Sequence, residues 1–278
     1  MPKVRFFDRR VVRQFLEYIS AISTGLSLIL IFVDIPNEAK NIVGAVFICA
    51  LVIFYIVLWF HSATLEHVDL NIEGSTVTVK VGDIFNEPGF KAIAFNEYFD
   101  TLVDNRIISE ESLNGVFIKR IFPVSTQELD DYISSYRFEE GDVAGDNDKR
   151  EHGKTRKYSI GTVCVYKDYI LSAFSRFDSS NRAVLTMPEF LEFLIKFWDK
   201  VNKIYAQKSV SVPIFGSGIT RIKEHKNISD EELLKIMLWT FRISEMRFKY
   251  PAKLTIVIHG SKIDQINLLD IRSARNGV

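Results

Sequence analysis

The sequence predicts an α/β protein, with a mixed sheet flanked by helices and, ahead of it, a two-helix transmembrane hairpin. Three observations predict this. Two long apolar runs lie near the start, alternating strand-like segments follow them, and capped amphipathic helices interleave with short apolar strands further on. Of 278 residues, 47% are apolar, and 35 Lys and Arg balance 35 Asp and Glu. Those averages hide a division. From about Phe15 to Phe60 the residues are overwhelmingly apolar or small, whereas beyond His61 the composition is that of a soluble α/β domain.

Residues 42–60 (IVGAVFICALVIFYIVLWF) carry no charge. As a helix they extend roughly 28 Å, close to the thickness of a hydrocarbon core. Residues 15–35 form a similar run with Glu17 and Asp34 near its ends, and the polar turn 36–41 makes the two helices antiparallel neighbours. Lys3, Arg5, Arg9, Arg10 and Arg13 precede the first run, while the turn carries only Lys40. The bias of cations predicts that the N-terminus and everything after His61 face the cytoplasm, in the inner (plasma) membrane of a cell, with Tyr55, Trp59 and Phe60 near the inner interface. Ser20, Ser23, Thr24 and Ser27 share one face of the first helix, a pattern read as close helix packing or as a polar face assembled between subunits.

The expected domains are therefore residues 1–64, with spans at about 15–35 and 42–60, and residues 65–278. Cys49 and Cys164 form no disulfide framework, which fits a reducing compartment. The histidines show no metal-ligand spacing, so no metal is expected. Val68, Leu70 and Ile72, then Val77, Val79 and Val81, alternate with polar residues around Glu73-Gly74-Ser75, the pattern of a hairpin. Residues 91–95 read as a buried strand. Capping boxes at Ser125/Glu128, Thr186/Glu189 and Ser229/Glu232 open three helices. Strand-like runs occupy residues 160–166, 169–174, 210–215 and 254–259. The charged stretch 139–157 reads as a mobile loop.

One local feature points to a ligand. The strand ending at Val212-Pro213-Ile214-Phe215 runs directly into Gly216-Ser217-Gly218-Ile219-Thr220-Arg221. Glycines after a strand let backbone N–H groups approach an anion, and Ser217, Thr220 and Arg221 add hydroxyls and charge suited to a diphosphate. The spacing is neither that of a Walker loop nor GxGxxG. Asp83 and Ile84 end an early strand, where a carboxylate can accept a bond from a base amine. Asn114-Gly115 offers a second glycine turn.

Together, Gly82-Asp83-Ile84, the stretches 94–101 (AFNEYFDT) and 108–118 (ISEESLNGVFI), and the late Gly216-Ser217-Gly218 loop resemble a macro domain. More narrowly, they resemble the macro-like subfamily of membrane-anchored effectors in bacterial Thoeris anti-phage systems. The resemblance implies a macro-like fold that binds an ADP-ribose derivative. It implies that Asp83 and the Ile84 backbone contact adenine, that Asn96 contacts a ribose, and that Asn114, Gly115, Val116 and Phe117 form one phosphate loop. Gly216, Ser217, Gly218, Ile219 and Thr220 would form the other, with Arg221 on a phosphate or a distal group. It further implies a TIR-domain partner enzyme that makes the signal, possibly histidine–ADP-ribose. Ligand-driven homo-oligomerisation would then disrupt membrane lipid and lead to abortive infection, with no nucleic-acid partner and no cofactor. On this reading the protein is a sensor and not an enzyme. The alternatives are a membrane-tethered ADP-ribosyl or ADP-ribose-conjugate hydrolase, using Glu97, Asp100 or Asp104, and a protein-binding scaffold.

Overall fold

The computed structural model describes residues 4–33, 35–178, 180–223, 225 and 227–273. Lys3 and Asp34, both used in the membrane reading above, lie outside the described residues. The chain forms two compact units, Met1–Glu66 with Asn267–Ser273, and His67–Ile266.

In the first unit, helix α1 spans Arg9–Leu30 and helix α2 spans Asn37–Ala63. Asp8 caps α1 by accepting the Arg10 N–H. Phe15 and Tyr18 of α1 meet Phe54 of α2, with ring centroids 6.0 and 5.9 Å apart. The Trp59 indole donates to the Val4 carbonyl (3.1 Å), and the Tyr55 hydroxyl donates to the Phe6 carbonyl. Among the described residues, α2 alone is long and apolar enough to cross a membrane by length and composition. Its apolar side chains, such as Ile42, Ile48, Ile53 and Val57, are exposed, unlike those of a buried core helix. α1 is cut short as an apolar run by Arg9, Arg10, Arg13 and Glu17. On its hydroxyl face, Thr24 donates to the Ser20 carbonyl one turn back (2.8 Å), the bond that lets a hydroxyl sit on an apolar helix.

The second unit carries strands β1 (His67–Ile72), β2 (Ser75–Val81), β3 (Phe90–Asn96), β4 (Val143–Asp146), β5 (Arg156–Tyr158), β6 (Val163–Tyr166), β7 (Tyr169–Phe177), β8 (Ala183–Leu185), β9 (Val210–Pro213), β10 (Arg221–Ile222) and β11 (Leu254–Ile258). Its helices are α3 (Leu113–Ile121), α4 (Gln127–Ser135), α5 (Met187–Ile204) and α6 (Asp230–Ile243). The main sheet runs β1-β2-β11-β9-β3-β7-β8-β10, with β6 added beside β7. β2, β11, β9, β3 and β7 are mutually parallel, and the expected β1–β2 hairpin is antiparallel. The central strands are buried on both faces, as helix-covered parallel strands are; every residue of β11 is buried.

α5 and α6 begin at the expected capping boxes, where Thr186 and Ser229 exchange bonds with Glu189 and Glu232. Phe190, Phe193, Leu194, Phe197, Trp198 and Val201 form the buried stripe of α5. The third expected box does not form. α4 starts after Thr126 without a side-chain cap, because Glu128 instead accepts from the Tyr166 hydroxyl (2.5 Å) and pairs with Lys167. Residues 139–157 also differ from the expected loop: they contain the antiparallel β4–β5 pair, anchored by buried ion pairs described below.

Candidate functional site

β9 ends at Pro213, and the chain is fixed there by burial of Ile214 and Phe215. The Phe215 ring lies 4.9 to 5.6 Å from those of Phe174, Phe193 and Phe197. Gly216 follows at φ +87°, a left-handed conformation that side chains rarely adopt. The Ser217 N–H then closes a turn onto the Ile214 carbonyl (3.2 Å), and Ile219 projects outward, 58% exposed. This is the strand-to-glycine turn that the sequence predicts.

The stretch read as a second phosphate loop is the start of a helix. Ser112 caps α3 by accepting the Gly115 N–H (3.2 Å), and its carbonyl takes the Val116 N–H. Leu113 and Asn114 occupy the first turn, where backbone N–H groups have no carbonyl one turn back within the helix. That end also carries the positive pole of the helix dipole. Gly115 is required by close approach, since a Cβ there would lie 2.2 Å from the Ser109 carbonyl oxygen. Val116 is on the surface and Phe117 is in the core, 0% exposed.

These two backbone segments wall one cavity of about 180 Å³. Asn96, Asn114, Gly216, Ser217, Gly218, Ile219 and Thr220 all line it. Ser109, Ser112, Ser175 and Phe177 line it too, and Glu111 is the one charged residue among its lining. A slip in the β3–β7 register between Phe95 and Asn96 re-aims the last residue of β3, as bulges beside functional sites do.

Asp83, Ile84, Gly115, Val116 and Phe117 are not part of this lining. Asp83 caps a short 3-10 turn, Ile84–Asn86, by accepting the Phe85 N–H (3.0 Å), and its other oxygen pairs with Arg120 (3.0 Å). Ile84 is buried beneath that turn. Arg221 begins β10, and its side chain lies outside the described residues.

The carboxylates considered for hydrolysis are held elsewhere. Glu97, 1% exposed, accepts from Arg176 (3.1 Å) and the Phe177 N–H (3.2 Å), and pairs with Lys157 (3.3 Å). Asp100 is gripped by Arg150. Asp104 accepts the N–H groups of Ile107 (2.7 Å) and Arg106 (2.9 Å), bonds that hold its carboxyl below the usual aspartate range, the Ile107 N–H most. None of the three lines the cavity. Among the described residues no cluster of His, Cys, Asp or Glu is placed to hold a metal.

Ser112 carries no sequence flag because its third position onward is Gly115, so no capping box announces α3. Ser175 and Phe177 lie beyond the strand-like run 169–174, on the end of β7, which runs on to Phe177.

Solved macrodomains of Oceanobacillus iheyensis share limited similarity. A mutant form is 14% identical over 76% of this chain and 96% of its own, at a TM-score of 0.41. A form with ADP is 15% identical over 75% and 94%, also at 0.41. Thoeris protein ThsA of Bacillus amyloliquefaciens (strain Y2) is 37% identical over 278 residues, covering 98% of this chain and 92% of the relative. The family described as Thoeris protein ThsA, Macro domain, matches residues 77–259, a span that holds both cavity walls. The chain belongs to the Thoeris ThsA macro-domain family.

Proposed function

We propose that this protein is an anti-phage effector whose cavity binds an ADP-ribose-derived signal made by a TIR-domain partner of the Thoeris system. One observation carries the ligand assignment: the first turn of α3, with Leu113 and Asn114 beside the Ser112 cap, and the glycine turn after β9 wall the same cavity. Two N–H-rich backbone segments around one space suit a diphosphate without requiring a lysine or arginine in the lining. Family membership supports the link to a Thoeris signal.

The output is proposed to be the membrane. α2 is apolar enough to span it, and α1 would enter beside it through the Phe15, Tyr18 and Phe54 contacts, placing both termini on the cytoplasmic side. Two helices per chain enclose no pore, so disruption requires ligand-driven assembly. A ligand drives assembly only by binding the assembled state more tightly, and about a 10⁴-fold preference swings a population from 1:99 to 99:1.

The test is calorimetry of the full chain in detergent with ADP-ribose and its amino-acid conjugates, paired with dye release from vesicles. Binding together with ligand-dependent release is expected, and Gly216→Val abolishes both. Tight binding with unchanged oligomer size and no dye release would remove the effector reading. Asp83→Ala locates the base: a loss of about 1–3 kcal/mol places it at the 84–86 turn, and unchanged binding removes Asp83 from the site.

A further inference from the structure

Asn96 is a cavity residue whose side chain is almost fully committed to the protein. It is 3% exposed. Its Oδ1 accepts the backbone N–H of Tyr98 (3.0 Å) and of Asp100 (3.3 Å), and its Nδ2 donates to Asp100 Oδ2 (2.9 Å). A carboxamide has two N–H protons and two acceptor positions. Three of those four valences are spent, so the one left for the cavity is a single N–H donor.

The orientation is imposed by Asp100. Its carboxylate, 1% exposed, takes four donors: Asn96 Nδ2, Arg150 Nη1 (3.0 Å), Arg150 Nη2 (2.7 Å) and the Lys154 backbone N–H (2.8 Å). Arg150 comes from the β4–β5 arm, fifty positions along the chain, and its side chain is only 7% exposed. Its guanidinium stacks 3.9 Å from the Tyr98 ring centre and 5.7 Å from that of Phe177, another cavity residue. The arm is fastened further by Asn147 donating to the Tyr98 hydroxyl (2.9 Å) and by Lys154 Nζ donating to the Phe99 carbonyl (2.8 Å). A buried ion pair of this kind is weak evidence for stability and stronger evidence for a fixed geometry. Second-layer carboxylates set the orientation of functional groups in the same way.

We propose that Asp100, clamped by Arg150 of the β4–β5 arm, is the positioning residue that locks Asn96 as a hydrogen-bond donor to an acceptor oxygen of the ligand. This role rests on the cavity being the nucleotide site. The arm is then part of the site without lining it, and its docking and ligand affinity are coupled.

The test is a double-substitution cycle on the full chain in detergent, read as ADP-ribose affinity. Asn96→Ala and Arg150→Ala each weaken binding about tenfold, and the double variant is no weaker than Asn96→Ala alone. Arg150→Lys, which keeps the charge but not the two-pronged bond to Asp100 or the stacking on Tyr98, recovers only part of the loss. Losses that multiply in the double variant, or Arg150→Ala binding like wild type, overturn the role. Should Arg150→Ala fail to melt cooperatively, a mutation-free measurement decides. With ¹⁵N-asparagine labelling, one Asn96 Nδ2 proton is protected from solvent exchange and the other shifts on adding ADP-ribose. Free exchange of both, or no shift, overturns the role. Retained binding by Asn96→Ala alongside lost binding by Gly216→Val sinks this inference and leaves the cavity assignment standing. Wild-type binding by both variants sinks the cavity assignment, and this inference with it.

Discussion

The α3 wall of the cavity is fastened at its polar positions, whereas the glycine wall is held mainly at its start. On the first, Ser112 Oγ accepts from Gly115, Asn105 Oδ1 accepts from Glu110 (2.9 Å), and Lys119 pairs with Glu110. Phe117 and Ile118 drive the helix into the core. On the second, Ile214 and Phe215 are buried, and beyond them the Ser217 N–H bonds the Ile214 carbonyl. The difference teaches where a ligand does its work. A cavity of about 180 Å³ is smaller than the roughly 300–1,000 Å³ typical of ligand pockets. If the cavity takes a nucleotide diphosphate, as proposed, the glycine wall is the one expected to yield.

The most severe way to break this contrast is Gly115→Ala. The new methyl would meet backbone at Ser109, which cannot rotate aside as a side chain would. Overpacking of this kind costs about 3 kcal/mol. Denaturant unfolding of the variant should show the unfolding free energy falling by that amount, with the midpoint lowered by that amount divided by the m-value. An unchanged midpoint means that the α3 wall is not rigid.

Gly216→Ala comes next. Space is not the obstacle, since a Cβ would make ordinary contact with Leu233 (3.4 Å); the cost is the φ of +87°. A non-glycine residue there is strained by about 1–2 kcal/mol. The free chain should relieve that strain by reshaping the loop, so ADP-ribose affinity falls further than stability does. Equal losses in both would show that this loop is as rigid as α3.

Much of the architecture was legible because its causes are local. Thr186/Glu189 and Ser229/Glu232 satisfy helix N–H groups within four residues, and Val68 to Val81 alternates with the pleat of two strands. The glycine turn was legible for the same reason. What was hidden depends on partners distant in sequence. Arg150 meets Asp100 fifty positions away, which turns an apparent charged loop into a docked arm. Glu128 spends its carboxylate on Tyr166, so the box with Ser125 never forms. α3 escaped notice because a helix of nine residues gives little periodicity and its first turn contains glycine. In α1, Arg13, read as preceding the first span, pairs with Glu17 near the start of that span.

A smaller effect is expected at Asp104, in the turn that leads into the α3 wall. Its carboxyl is held below the ordinary aspartate value of 3.8, chiefly by the Ile107 N–H. A depressed folded pKa contributes stability above the unfolded pKa, and that stability is lost as pH falls through the folded value. The Ile107 amide resonance should therefore titrate with a midpoint below 3.8. A midpoint at or above it means that the turn bonds do not persist in solution.

The smallest expected effect is Gly218→Ala, and it separates packing from recognition. Nothing lies within 4 Å of a Cβ built at Gly218, and its φ is not in the left-handed range. By the packing rules that condemn Gly115→Ala, this substitution changes stability by less than about 0.5 kcal/mol. Gly218 lines the same cavity, however, and on the proposed reading an added methyl would hinder a phosphate from approaching the backbone there. Unchanged melting with weakened ADP-ribose binding places the anion at the tip of the loop. If binding is also unchanged, the anion sits nearer Gly216 and the first turn of α3, so that the contrast between the walls holds while the occupied part of the glycine wall shrinks to its anchored end.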